Sequence, residues 1–295
     1  MPSWEDFKPF IVTGLALGGV YSLSGVGMVV LYRATGVLNL AFGAVGAFGA
    51  LLAWQLINHN GWAGGPAYVV CVLSGGVITL LYGVLFGPPL AGRDPLVKAV
   101  ATLGLALILL GVMSWVWSDK ARSMLLPTSN SGFRVSGIFV NYTQVIAVGL
   151  AIFITVVTTL FLKFTNLGTA MRALANDREI TATLGVPVRR VEAAAWFGSG
   201  LVSGAAGLLL SNLVGLDAAT LTFLVISSLA ATLIGRLRSI GVTFAAGMVV
   251  GLVTALITPI LSISQYRDVT PFVLATIALL VLSGRRGSAL AGRSG

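Results

Sequence analysis

The chain has 295 residues, of which 57% are hydrophobic and 9% charged, with 18 Lys and Arg against 9 Asp and Glu. That much apolar surface exceeds what a water-soluble interior can hide, and the 37 glycines follow no period of three, so a soluble globule, a disordered chain and a collagen are excluded. Long continuous apolar runs also differ from the alternating strands of a transmembrane barrel, which leaves an all-α, polytopic transmembrane helical bundle.

A bilayer-crossing helix needs about 20 apolar residues. Such runs fall at 9–32, 35–57, 66–87, 96–118, 142–162, 193–214, 221–235, 240–261 and 270–284, nine in all. Glu5 and Asp6 precede the first run, unlike the basic start of a cleavable signal peptide. The second run carries Asn39 among Gly36, Gly43, Gly46 and Gly49, which suggests a broken span. The seventh is short and runs into Gly235-Arg236-Leu237-Arg238. His59 lies in a polar Asn-His-Asn-Gly stretch and reads as a solvated loop residue, and the lone Cys71 offers neither a disulfide nor a metal site. With the N-terminus outside and the C-terminus cytoplasmic, 13 basic residues fall inside (among them Arg33, Lys98, Arg172, Arg236, Arg285, Arg286 and Arg293) and 5 outside. The net charge of +9 is therefore a positive-inside excess rather than a nucleic-acid surface. The same orientation puts Trp4, Trp54, Trp62, Trp115 and Trp117 near the outer interface and Trp196 near the inner one.

Lipid gives helices no hydrophobic reason to associate, so small residues at four-residue spacing must let backbones approach. Such pairs are Gly14 and Gly18, Gly43 and Ala47, Gly46 and Ala50, Ser203 and Gly207, Gly200 and Gly204, and Gly247 and Gly251. No charged residue lies near the middle of any run, whereas ion-coupled carriers place ionisable groups there. A Gly-Lys dipeptide, and with it a phosphate-binding loop, is absent. Such a chain is either a passive pore or draws its energy from elsewhere; no catalytic residue, metal or cofactor of its own is expected.

The whole chain, 1–295, reads as one transmembrane permease domain with a polar loop at 163–192 inside and, at 119–141, the longest loop outside. In the inner loop, Asn176 followed by Glu179 resembles a capping box, with a short helix to Leu184, a left-handed stop at Gly185 and Pro187 beyond. An earlier turn offers Met171 and Leu174 as apolar contacts. The loop suits either docking on a soluble partner or resting on headgroups. Here a family resemblance enters. Met171-Arg172-Ala173-Leu174-Ala175-Asn176, followed by Leu184-Gly185-Val186, resembles the coupling loop of bacterial ABC importer permeases, the branched-chain amino-acid group above all. Residues 14–23, Leu38-Asn39-Leu40-Ala41-Phe42-Gly43 and the turn 234–241 resemble further motifs of that group, with two departures: no His near Phe42 and Gly43, and Arg236 where a Gly is common.

The resemblance implies a bacterial cytoplasmic-membrane subunit that works with a second permease subunit (a copy or a different chain), two cytoplasmic ATPase subunits that bind the ATP, and an extracytoplasmic solute-binding protein. It assigns Met171, Arg172, Ala173, Leu174, Asn176, Glu179, Leu184, Gly185 and Val186 to ATPase coupling, and the 119–141 loop is a candidate surface for the binding protein. Tyr21, Ser22, Ser24, Asn39, Phe42, Thr102 and Asn212 are polar or aromatic groups inside spans, fitted either for a solute path or for helix-to-helix hydrogen bonds. A self-contained channel or facilitator is the alternative; an intramembrane enzyme lacks the histidine or acid it would need at depth.

Overall fold

The computed structural model describes residues 4–118, 120–124, 126–135, 137–260, 264–278 and 280. The elements are α1 (Trp4–Thr35), α2 (Phe42–Asn58), α3 (Gly64–Leu90), α4 (Pro95–Trp117), β1 (Gly132–Val135), β2 (Ile138–Asn141), α5 (Tyr142–Phe164), α6 (Asn166–Asn176), α7 (Arg178–Thr183), α8 (Val188–Val214), α9 (Ala218–Phe223), α10 (Val225–Ile234) and α11 (Ile240–Ile257). A 3-10 turn, Ser264–Val269, leads into a helical run over 270–278. Among the described residues, α1, α3, α4, α5, α8 and α11 are each long and apolar enough to cross a membrane. The apolar stretches Phe42–Asn58 and Ala218–Ile234 are shorter. Residues 281–284 of the expected last span and the tail basic residues Arg285, Arg286 and Arg293 lie outside the described residues.

The two irregular spans are both interrupted. The second, read from the sequence as a broken run over 35–57, is not helical over 36–41. Gly36 takes a left-handed backbone, φ 68°, and the Asn39 side chain accepts from the Ala41 amide at 3.0 Å, so the chain turns before α2 begins at Phe42. Thr102 of α4 holds this segment from outside, donating to the Leu38 carbonyl at 2.9 Å and accepting from the Leu40 amide at 3.0 Å. The seventh run is two short helices parted at Leu224. Asp217 starts the first of them by accepting from the Thr220 amide at 2.7 Å.

The central helix is α1, with 83% of its apolar window inside the bundle, against 17% for the rim helix α5. It packs against α11, α8, α5 and α10, while α2 sits between α3, α8 and α9. Small residues make these contacts close. An added Cβ on Gly251 would stand 2.2 Å from the Gly18 nitrogen, and one on Gly207 would stand 2.2 Å from the Gly46 carbonyl oxygen. The expected small-residue faces therefore meet one another, α1 on α11 and α2 on α8. Hydroxyls reinforce the seams: Ser22 donates to the Phe244 carbonyl at 2.7 Å, Ser203 to Phe42 at 2.6 Å and Thr79 to Trp196 at 2.8 Å. No Asp, Glu, Lys, Arg or His is buried among the residues whose side chains are described. Trp196 is buried in an edge contact with Tyr82.

A bulky side chain at the tightest crossing has nowhere to go, because the obstacle is backbone. Gly251→Leu should lower stability by about 3 kcal/mol, seen as an earlier thermal unfolding transition in detergent. Gly104→Ala, where a Cβ meets nothing within 4 Å, should not lower it.

Candidate functional site

Every described basic residue of the set expected inside (Arg33, Arg93, Lys98, Lys163, Arg172, Arg178, Arg189, Arg190, Arg236 and Arg238) lies at one end of the bundle. A groove of about 620 Å³ lies in the other half, between α1, α9, α10, α11 and residues 271–272. Its wall mixes apolar groups with hydroxyls: Thr13, Tyr21, Thr220, Ser227, Thr254 and Thr258 all contribute. A water-sized cavity of about 20 Å³ lies beside it, lined by Ser24, Phe42, Ser203 and Ser228. Tyr21 and Leu224 border both spaces, so they stand between them. Leu224 is also the residue at which the seventh span breaks.

The candidate path residues thus divide. Tyr21, Ser24 and Phe42 line cavities. Ser22 and Thr102 are buried and spend their hydroxyls on the bonds given above, and Asn39 is fully buried at the α1–α2 turn with its amide nitrogen unpartnered. Asn212 donates to the Met124 carbonyl at 3.1 Å, tying α8 to the connection after α4. Thr13, Ser227, Thr254 and Thr258 escaped sequence reasoning because a hydroxyl inside an apolar helix can bond back to its own backbone and so be tolerated anywhere. Thr254 does so, donating to the Val250 carbonyl at 2.7 Å. The four-residue spacing of Thr254 and Thr258 was the available signal.

At the arginine-bearing end, α6 and α7 form a hairpin beneath the bundle. Thr165 caps α6 through the Gly168 amide at 2.9 Å. A Cβ on Gly168 would stand 2.3 Å from the Phe161 carbonyl, so α6 folds tightly against the end of α5. Met171 and Leu174, expected as contacts for a partner, are buried in the bundle and anchor the hairpin instead. Ala173 and Val186 are half-buried, and Arg172 donates to Thr169 Oγ1 at 3.3 Å. The expected capping box at Asn176 and Glu179 is also corrected. Helix α6 runs through Asn176, so Asp177 becomes the cap of α7, accepting from the Ile180 amide at 2.9 Å. Glu179 is then the second residue of α7, one short of the position from which a side chain returns to the cap. Gly185 does take the left-handed stop, φ 81°, with open space around it. Arg178 pairs with Glu192 of α8 at 3.0 Å. The outward apolar groups are Ile180 and Leu184, the latter 77% exposed.

At the opposite end, residues 119–141 contain structure that composition did not announce. β1 and β2 form an antiparallel hairpin with Arg134 opposite Phe139, and Phe133, Val135 and Phe139 are exposed. Arg122 pairs its backbone with Leu216 and lays its guanidinium 4.8 Å from the Trp54 ring centre, while Trp117 donates to Gln55 Oε1 at 2.6 Å.

A bundle of apolar helices with its charge confined to the ends and a hydroxyl-lined groove between its helices defines a multi-pass membrane permease. The family described as "Branched-chain amino acid transport system / permease component" matches residues 10–282, and the chain belongs to it. It is 26% identical to the high-affinity branched-chain amino acid transport system permease protein LivH of Escherichia coli (strain K12) over 94% of this chain and 95% of that one. It is also 26% identical to the high-affinity permease protein BraD of Pseudomonas aeruginosa over 95% of each. A probable branched-chain amino acid transport permease protein LivH of Methanocaldococcus jannaschii is 29% identical over 80% of this chain and 76% of that one.

The two candidate caps make different demands. Asp177→Ala should cost about 1 kcal/mol of local stability and speed amide hydrogen exchange across 178–183. Asn176→Ala should leave that exchange unchanged.

Proposed function

We propose that the chain is the membrane permease subunit of an ATP-driven ABC importer in a bacterial cytoplasmic membrane, carrying branched-chain or related amino acids. In this scheme it crosses the bilayer nine times as one permease domain, N-terminus out. It works with a second permease subunit, two ATPases on the inner side and a solute-binding protein outside. The observation that carries the proposal is the α6–α7 hairpin: anchored inward by Met171 and Leu174, it presents Ile180 and Leu184 outward at the end where the basic residues gather. Exposed apolar groups on a short, capped helix suit the groove of a soluble partner. Among the residues whose side chains are described, the chain keeps no buried charge to couple transport to an ion, so closure of an external ATPase is a sufficient motor.

The residues assigned to coupling then have separate duties. Met171 and Leu174 fix the hairpin to α1 and α8, Gly185 sets its exit, and Leu184 meets the partner. Arg172, Ala173, Asn176, Glu179 and Val186 complete that surface or its support. ATP stays in the partner subunits, and the chain needs no cofactor of its own. The solute passes along the groove by Tyr21, with hydroxyls offering weak, neutral contacts to an amino acid's charged groups. Selection is left to the binding protein, for which the β1–β2 hairpin is a receiving surface.

Reconstituted uptake tests this scheme. Transport should require ATP and the ATPase subunits; ATP-independent uptake would support a self-contained facilitator instead. Leu184→Glu should weaken ATPase association about 30-fold, the loss of an apolar anchor of ~2 kcal/mol, with the membrane bundle intact. Thr254→Trp should fill the groove and abolish uptake, whereas Val249→Trp, on an exposed face of the same helix, should not.

A further inference from the structure

The groove and the water-sized cavity lie in series along α1 and α10. Neighbouring residues of α10 fall on different sides of the division: Ser227 lines the groove and Ser228 the cavity. The same order holds on α1, where Thr13 and Leu17 line the groove and Ser24 the cavity. Among the described residues, Tyr21 and Leu224 are the two that line both, so the division runs through their side chains. Tyr21 stands at the midpoint of the span Phe7–Thr35 and is buried.

The two side chains rest on unlike supports. Tyr21 belongs to the locked centre: three residues before it Gly18 meets Gly251, and the next residue, Ser22, donates to the Phe244 carbonyl at 2.7 Å. Leu224 belongs to a joint. It is the break between α9 and α10, and α9 is a separately capped helix preceded by Gly215, whose φ of 96° suits glycine. The backbone pairing of Leu216 with Arg122 fixes the pivot at the start of α9. One face of α9 is stopped by α2, since a Cβ on Gly43 would run into the Thr222 carbonyl oxygen. On another side Phe223 is exposed, which leaves room to swing away from α2. With 6 residues at 1.5 Å each, α9 is about 9 Å long, so a swing of about 20° carries Leu224 about 3 Å. The cavity between Gly43 and Gly46 of α2 and Leu221 of α9 widens in that motion.

We propose that Tyr21 and Leu224 are a gate in the solute path: Tyr21 is the fixed jaw, Leu224 the moving one, and α9 the element that carries it. The water-sized cavity is the chamber behind the gate, collapsed in this conformation, and it receives the solute when the two side chains part. Rotation of this kind is absorbed at the ends of elements, which is where Leu224 and Gly215 stand. The gate's role in transport rests on the proposed function, whereas the barrier itself belongs to the chain alone.

Thiol labelling of the full-length chain in detergent tests the barrier without ATP or solute, in a Cys71→Ala background. A charged, water-soluble methanethiosulfonate should label Ser227→Cys readily and Ser228→Cys about 30-fold more slowly, since thiol reactivity follows access. Leu224→Ala should raise the Ser228→Cys rate about tenfold and leave the Ser227→Cys rate unchanged. Should Ser228→Cys fail to fold, Ser24→Cys reports on the same chamber from α1. Equal rates on the two sides, or a slow chamber rate that neither Leu224→Ala nor Tyr21→Ala raises, would overturn the barrier. The gate is tested on the chain assembled with ATPase subunits. There the Ser228→Cys rate should differ about fivefold between the nucleotide-free complex and one trapped with ATP and vanadate. Equal rates in the two complexes would overturn the gate even where the barrier holds. If no ATPase assembles, the proposed function falls and the gate's role with it, while labelling of the chain alone still decides the barrier.

Discussion

The contact between Gly18 and Gly251, backbone against backbone, sets the geometry on which the other helices depend. In lipid, dispersion at such seams replaces the hydrophobic effect, and it falls off steeply with separation. With α1 and α11 locked together, α8 and α5 find α1's remaining faces, and α2 is drawn in through Gly46 and Gly207. The rim helices α4 and α5 then turn exposed Leu, Val, Ile and Phe side chains outward, where acyl chains are as good a solvent as protein.

That close-packed centre leaves little volume for solute, so openings occur where helices are interrupted. The groove runs beside the break at Leu224. A continuous helix packs tightly along its whole length, whereas an interrupted one leaves room beside the interruption. The same trade appears at 36–41, where Asn39 and Thr102 take over hydrogen bonds that a helix would have made.

Much of the fold was legible because membrane solvent imposes simple demands. Apolar length marked the spans, and the spacing of Gly14, Gly18, Gly247 and Gly251 marked the faces that meet. Partners across a seam were not legible, since any small face accommodates any other. Nor could composition distinguish Asn176 from Asp177 as a cap, because both side chains suit the role and only the end of α6 decides. The candidate site was harder still. Met171 and Leu174 carried the apolar signal of the loop, yet a buried anchor and an exposed contact look alike in sequence, and the outward groups proved to be Ile180 and Leu184. Threonines of the groove gave no signal beyond their spacing, and the β1–β2 hairpin rests on two strands of only four residues each.

The short helix α7 is parted from α6 by Asp177 alone and fixed to the foot of α8 by the Arg178–Glu192 pair. Helix α8 has 27 residues, so it is about 40 Å long at 1.5 Å per residue. A tilt of about 5° at its foot therefore displaces its far end by about 3.5 Å, roughly the radius of a methyl-bearing side chain. That far end, Leu213 and Val214, forms part of the groove wall. A rigid rod this long magnifies, at the groove, any small rotation delivered where Arg178 and Glu192 meet.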